Sequence, residues 1–124
     1  MIQLKRAYDP PGAADGKRIL VERLWPRGMR KEALQLDGWV KDVAPSTELR
    51  QWFHADSARW PEFRHRYLAE LTLNGEACAG LLDAARSGTV TLLYAAHDTE
   101  HNSAVVLREF LERKVAQHGG AAGR

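Results

Sequence analysis

Two stretches of the chain are almost continuously apolar, and each stops abruptly in a block of charged and turn-forming residues. Arg18-Ile19-Leu20-Val21 runs into Glu22-Arg23-Leu24-Trp25-Pro26-Arg27-Gly28, and Val90-Thr91-Leu92-Leu93-Tyr94-Ala95-Ala96 runs into His97-Asp98-Thr99-Glu100-His101-Asn102. Short apolar runs rich in β-branched residues predict strands, here Lys17 to Arg23 and Thr89 to Ala95. The second predicts a central strand, since strands covered on both faces lose their polar alternation. Ile2 to Arg6 alternates and predicts a short strand of its own. Pro10-Pro11-Gly12 and the small residues up to Gly16 predict a loop.

The middle of the chain changes period. Ser46 is an N-cap candidate for a helix over Thr47 to Phe53. A second helix starts at Asp56 or Ser57 and carries Trp60, Phe63, Tyr67 and Leu71 in one stripe, with Asn74-Gly75 as its stop. Glu76 to Arg86 reads as a third, through Cys78, Leu81, Leu82 and Ala85. Asn102 to Val115 reads as a long final helix with Val105, Val106, Phe110 and Leu111 inward. Met29 to Leu34 suggests one helical turn, and Leu36 to Lys41 reads either as a strand or as the end of that turn. Strands separated by helices imply an α/β fold: a small three-layer domain with a short, largely parallel sheet of roughly three or four strands flanked by helices. One domain over residues 1–118 and a frayed tail over 119–124 are expected.

Composition narrows the class. The chain has 124 residues, 44% hydrophobic and 27% charged, which suits one domain with a real core. No stretch approaches the roughly 20 apolar residues of a bilayer span, so no membrane is expected. Charge interrupts Met1 to Arg6 before a signal sequence could build. The single Cys78 suits a reducing compartment, and a cytoplasmic location is expected. It lies among Ala and Leu, as a small buried hydrophobe does. A net charge of +2 is too small for a dedicated nucleic-acid binder. The local excess at Arg59, Arg64, His65 and Arg66 is either a solvated helix face or a phosphate-contacting stripe.

If the two apolar runs are neighbouring parallel strands, their charged ends meet at one rim, where open α/β sheets bind ligands. Pro26 fixes its own φ and biases Trp25 away from the helical region, so Trp25-Pro26-Arg27-Gly28 is a defined turn in which Gly28 can take positive φ. Arg23 and Arg27 on such a turn suit bidentate capture of phosphate or carboxylate; alternatively they pair with Glu22, Asp42 or Asp98. Asp98 is either a helix N-cap or a general base oriented by His101. His97 and His101, with Asp98 or His54, do not make a convincing metal set, and no metal or cofactor is expected. Lys41 and Asp42 join the rim if Leu36 to Lys41 is a strand. The tryptophans are read as packing residues.

The segments Glu22 to Gly28, Trp39 to Ser46, Phe63 to Leu71, and Leu92 to Asp98 with His101-Asn102 closely resemble the YeaO-like branch of the domain-of-unknown-function family 488. The resemblance runs from about Lys17 to Leu111, and its Arg-Leu-Trp-Pro-Arg-Gly element is highly specific. That branch commonly has Asp at the position of Glu22 and Lys or Arg at that of His97. The resemblance implies a small cytosolic α/β domain. Its motif residues fall on Arg23, Trp25, Pro26, Arg27, Lys41, Asp42, Asp98, His101 and Asn102.

These readings converge on a rim pocket for an anionic small molecule such as a nucleotide or phosphate ester. Arg23 and Arg27 would clamp the anion, with Trp25, Lys41, Asp42 and Asn102 in contact. Asp98 and His101 would be the catalytic pair if the protein is a hydrolase or transferase. The alternative is a non-catalytic nucleic-acid-binding module using Arg59, Arg64 and Arg66. A third reading makes the charged blocks an internal ion-pair network.

Overall fold

The structure, a computed structural model, describes the backbone of residues 1–122 and the side chains of residues 1–117. In chain order its elements are β1 (Ile2–Arg6), β2 (Lys17–Leu20), α1 (Lys31–Leu34), β3 (Gly38–Trp39), α2 (Thr47–Ala55), α3 (Trp60–Leu73), α4 (Ala79–Ser87), β4 (Val90–Tyr94) and α5 (Ser103–Ala122). The four strands form one parallel sheet in the order β1-β4-β2-β3. Leu92 of β4 is in register with Leu4 on one side and Ile19 on the other. This is the α/β architecture that the alternation of periods predicts. Val90 to Tyr94 is buried throughout, as a central strand requires.

Side-chain alternation divides the sheet into two unequal faces. Ile2, Ile19, Val21, Val90, Leu92 and Tyr94 point into the main core, which α2 to α5 cover with Phe53, Phe63, Tyr67, Leu71, Leu81, Leu107 and Leu111. The predicted stripe of α3 is this contact. Phe63 stacks on Phe53 at 4.4 Å between centroids, and the Tyr67 hydroxyl donates to the Val43 carbonyl. The opposite face is covered thinly: Leu20 and Leu93 meet Ala7 and Leu34, with Trp25 and Trp39 packed at the side.

Several boundaries differ from the sequence pattern for local reasons. The helix expected from Asp56 or Ser57 begins as a 3-10 turn over Ser57–Arg59, in which Asp56 accepts the Ala58 N–H, and becomes α-helical at Trp60. The helix expected from Glu76 likewise begins as a 3-10 turn, Gly75–Cys78. Segment 36–41 resolves as a strand, but only Gly38 and Trp39 pair with β2 before the chain tightens into a 3-10 turn at Lys41–Val43. β2 is shorter than Lys17 to Arg23. Val21 N–H still reaches the Leu93 carbonyl, but the Ala95 N–H then goes to the Glu22 side chain instead of the next backbone carbonyl. The tail expected over 119–124 falls on residues whose side chains, or whose placement altogether, lie outside the described residues. Among the described residues, no helix is long and apolar enough to cross a membrane.

Candidate functional site

β2 and β4 lie side by side, yet the chain leaves them in opposite directions: β2 leads across to β3, while β4 leads into α5, which packs on β1 and β4. Such a switch point opens a crevice beyond the carboxyl ends of the strands. A cleft of about 470 Å³ occupies that place. Glu22 contributes from just beyond β2, Arg50, Phe53 and His54 from α2, Ser57 from the following turn, residues 95–98 and 101–102 from the β4–α5 loop, and Ser103 from the start of α5. Its floor is aromatic, through Phe53 and Phe63, and its mouth is polar.

The β4–α5 loop is held by its own side chains. Asp98 Oδ1 accepts the N–H groups of Glu100 and His101, both at 2.9 Å, and Oδ2 lies 3.2 Å from His101 Nδ1. Those backbone donors, the His101 N–H foremost, hold the Asp98 carboxyl below its ordinary range. Asn102 donates to the Asp98 carbonyl and accepts the Val105 N–H, so Asn102, not Asp98, caps α5. Asn102 is buried and both ends of its amide serve the loop. From β1, Arg6 Nε donates to the Ala96 carbonyl at 2.9 Å, and its Nη2 lies 3.5 Å from His97 Nδ1. The His101 ring meets the edge of Trp60 at 5.0 Å.

Glu22 is the half-buried carboxyl of the cleft. Burial pushes its pKa up, against the Ala95 N–H and the nearby charges of Arg50 and His54, which pull it down. A carboxyl whose folded pKa is raised holds protons that the unfolded chain has released, so its contribution to stability declines as pH rises through the folded pKa. Gln keeps an acceptor for the Ala95 N–H and removes the buried charge. Glu22→Gln should therefore equal or exceed wild-type stability at pH 7, by up to about 1 kcal/mol, and flatten the pH dependence just above the usual glutamate range. Glu22→Ala should lose about 1–3 kcal/mol by leaving the N–H unpartnered. Urea unfolding from pH 4 to 8 checks both.

The residues singled out by sequence are not all brought together. Asp98, His101 and Asn102 are in or beside the cleft. Arg23 is turned into its wall, donating to the carbonyls of Pro45 (3.3 Å) and Ala44 (3.2 Å). Arg27 is exposed beyond the cleft, and its carbonyl accepts the Tyr8 hydroxyl. Among the described residues neither arginine makes an ion pair, and the contact of that kind within the charged blocks is Asp98 with His101. The predicted turn is present, with Gly28 at φ 76° and Trp25 Nε1 donating to the Met29 carbonyl. Trp25 and Trp39 meet edge to face at 5.4 Å beside a separate depression, with Lys41 over the Trp39 ring. Asp42 is exposed away from the cleft, its carbonyl accepting from Asn74.

Three arginines of the alternative nucleic-acid stripe have partners within the chain. Arg64 pairs with Glu109, Arg66 with Glu62, and Arg59 donates to the Trp52 carbonyl while Arg59 and Arg66 both lie over the Trp52 ring. No grouping of three or more His, Cys, Asp or Glu suited to a metal occurs among the described residues. Cys78 is buried, and burial raises its thiol pKa, as befits a packed residue. Sequence reasoning missed Arg50 and Ser57 and considered His54 only as a metal ligand. The available signal was spacing: Arg50, Phe53 and His54 stand at i, i+3 and i+4, one face of a helix.

Comparison with known proteins adds the family. The model described as the inactive DUF488-N3 subclade matches residues 1–123. The chain belongs to the DUF488 family. Uncharacterized protein YeaO of Escherichia coli (strain K12) is 49% identical over 110 residues, covering 89% of this chain and 96% of that protein. Uncharacterized protein Rv3073c of Mycobacterium tuberculosis (strain ATCC 25618 / H37Rv) is 38% identical over 110 residues, covering 89% and 92%. No solved structure gives a significant match. The DUF488 domain is here a four-stranded parallel sheet flanked by helices.

Proposed function

We propose that this DUF488 protein binds a small anionic molecule, such as a nucleotide or another phosphate ester, in the cleft beyond the carboxyl ends of β2 and β4. One observation carries the reading: Arg50 lines the cleft, and its guanidinium makes no ion pair or side-chain hydrogen bond among the described residues. A guanidinium left without a partner at the mouth of a concave, aromatic-floored site is a ready anion ligand. His54 and His101 stand beside it as further donors. Asp98 holds His101 by Nδ1, which leaves Nε2 for the ligand. Arg23 acts on the wall and Asn102 on the loop, as positioning residues. The description of the matched subclade as inactive supports binding without turnover. The engagement of Arg59, Arg64 and Arg66 within the chain favours a small anion over a nucleic acid.

Thermal melting against phosphate, nucleotides and small carboxylates tests this. At least one anion should raise the melting temperature. Arg50→Ala should weaken its binding by about 10–100-fold, the value of one or two charge-assisted hydrogen bonds, with little change in stability. Arg27→Ala, outside the cleft, should bind as wild type. No shift with any anion, or unchanged binding by Arg50→Ala, overturns the reading.

A further inference from the structure

We infer that the ligand of this cleft carries two functions, an anionic group and an N–H donor, on an aromatic or apolar body. The inference rests on the anion-binding reading and refines it. The cleft is not simply cationic, because two carboxyl groups, Glu22 and Asp98, line it with Arg50. Asp98 is satisfied by the loop: its oxygens take two backbone N–H groups and face the His101 ring. Glu22 is different. One oxygen accepts the Ala95 N–H at 3.1 Å, and the other has no protein partner among the described residues. No fully buried side-chain nitrogen or oxygen is left without a partner there, so this second oxygen is reachable from the open cleft. A lone acceptor in a half-buried place gains most from a donor that the ligand brings.

The arrangement discriminates among ligands. A plain anion would gain Arg50 but stand in the field of the Glu22 carboxyl. A ligand that also brings an amino or amide-type N–H turns that repulsion into a second bond. Phe53 and Phe63, stacked on each other, line the same cleft and supply its apolar part. A cleft of about 470 Å³ is larger than phosphate needs and accommodates a body of drug-like size. Two ligand classes share this chemistry: aromatic α-amino acids, and nucleoside monophosphates whose bases carry N–H donors.

Calorimetric titration of the full chain with matched compounds tests the inference. One set is free phenylalanine, phenylpropionate without the amine, and phenethylamine without the carboxylate. The other is guanosine monophosphate and ribose 5-phosphate. In at least one set, the compound with both functions should bind at least about tenfold tighter than its anion-only partner. Glu22→Gln places an amide N–H where the free acceptor stood. It should erase that preference while leaving the fold intact, and Arg50→Ala should weaken both members. The set that responds identifies the class. If phenylpropionate or ribose 5-phosphate binds as tightly as its bifunctional partner, and Glu22→Gln changes nothing, the inference fails while anion binding stands. If phenethylamine alone binds, independently of Arg50, or if no compound binds, both readings fail.

Discussion

Gly16→Ala should leave little folded protein. Gly16 joins the first loop to β2 at φ 62° and ψ −136°, a backbone conformation that side chains rarely adopt. Space forbids the change as well. A Cβ there would overlap the Thr89 carbonyl oxygen and stand 2.7 Å from its carbon. That same oxygen accepts the Lys17 N–H at 3.0 Å, the first bond joining β2 to the strand beside it. The methyl group therefore cannot be accommodated by moving a flexible side chain; the β2–β4 ladder must open at its start. Strain at such a dihedral costs about 1–3 kcal/mol and overpacking a similar amount, against a total stability of about 5–15 kcal/mol for a domain. A loss of about 3 kcal/mol or more in urea unfolding is expected. Gly12→Ala, four positions earlier, is the control: its Cβ would meet nothing closer than 3.5 Å, and near-wild-type stability is expected. Comparable loss in both variants would show that loop flexibility, and not the contact with Thr89, governs this corner.

That corner is only partly legible in the sequence. Pro10 to Gly16 reads as a loop from composition alone, but nothing local says that Gly16 lies against Thr89, because the contact joins residues far apart in the chain. The same distinction runs through the molecule. The strand at Val90 to Tyr94 and the stripe Trp60, Phe63, Tyr67 and Leu71 follow from period and composition, since burial itself imposes those patterns. The convergence of two strand ends follows from the alternation of elements and the rule for open sheets. Which side chains turn into the crevice does not. Arg23 and Glu22 are adjacent in a strand-like segment and so point to opposite sides, and the sequence cannot say which side is the cleft. The structure turns Glu22 inward and gives Arg23 to the carbonyls of Ala44 and Pro45. The role of Asn102 is hidden for a related reason: Asp98 and Asn102 are both good N-caps four residues apart, and only the geometry of the turn between them selects Asn102.

Removing either partner of the buried Asp15–Arg18 pair should be the second severe change. Both residues are 5% exposed, on the thinly covered face of the sheet. Arg18 Nη1 donates to Asp15 Oδ2 at 2.5 Å, and its Nη2 donates to the Leu34 carbonyl at 2.7 Å, tying α1 to β2. Asp15 also accepts the Gly12 N–H and Lys5 Nζ, while its carbonyl accepts the Thr91 hydroxyl from β4. The polar atoms of the cluster are thus matched, and deletion of one charge strands the other where little water reaches. Breaking such a pair costs about 3–5 kcal/mol, whereas replacing both partners with apolar residues is far milder. Asp15→Ala and Arg18→Met should each fall in that range, and Asp15→Leu with Arg18→Met should recover part of it. Additive losses in the double variant would mean that lost packing, not the stranded charge, accounts for most of the cost. The pH dependence has a definite sign. The Gly12 N–H, then Arg18 and Lys5, hold the Asp15 carboxyl below its ordinary range in spite of burial. A depressed folded pKa contributes stability that is present above the usual aspartate range and is lost as pH falls through the folded value. Wild type should therefore weaken below about pH 4, and Asp15→Asn should lack that part of the acid transition. The cluster stands at the amino edge of the sheet and the cleft at the carboxyl edge, so ligand affinity among the molecules that remain folded should be unchanged. A parallel loss of affinity would instead couple the two edges through β2, making the buried pair part of the device that sets the position of Glu22.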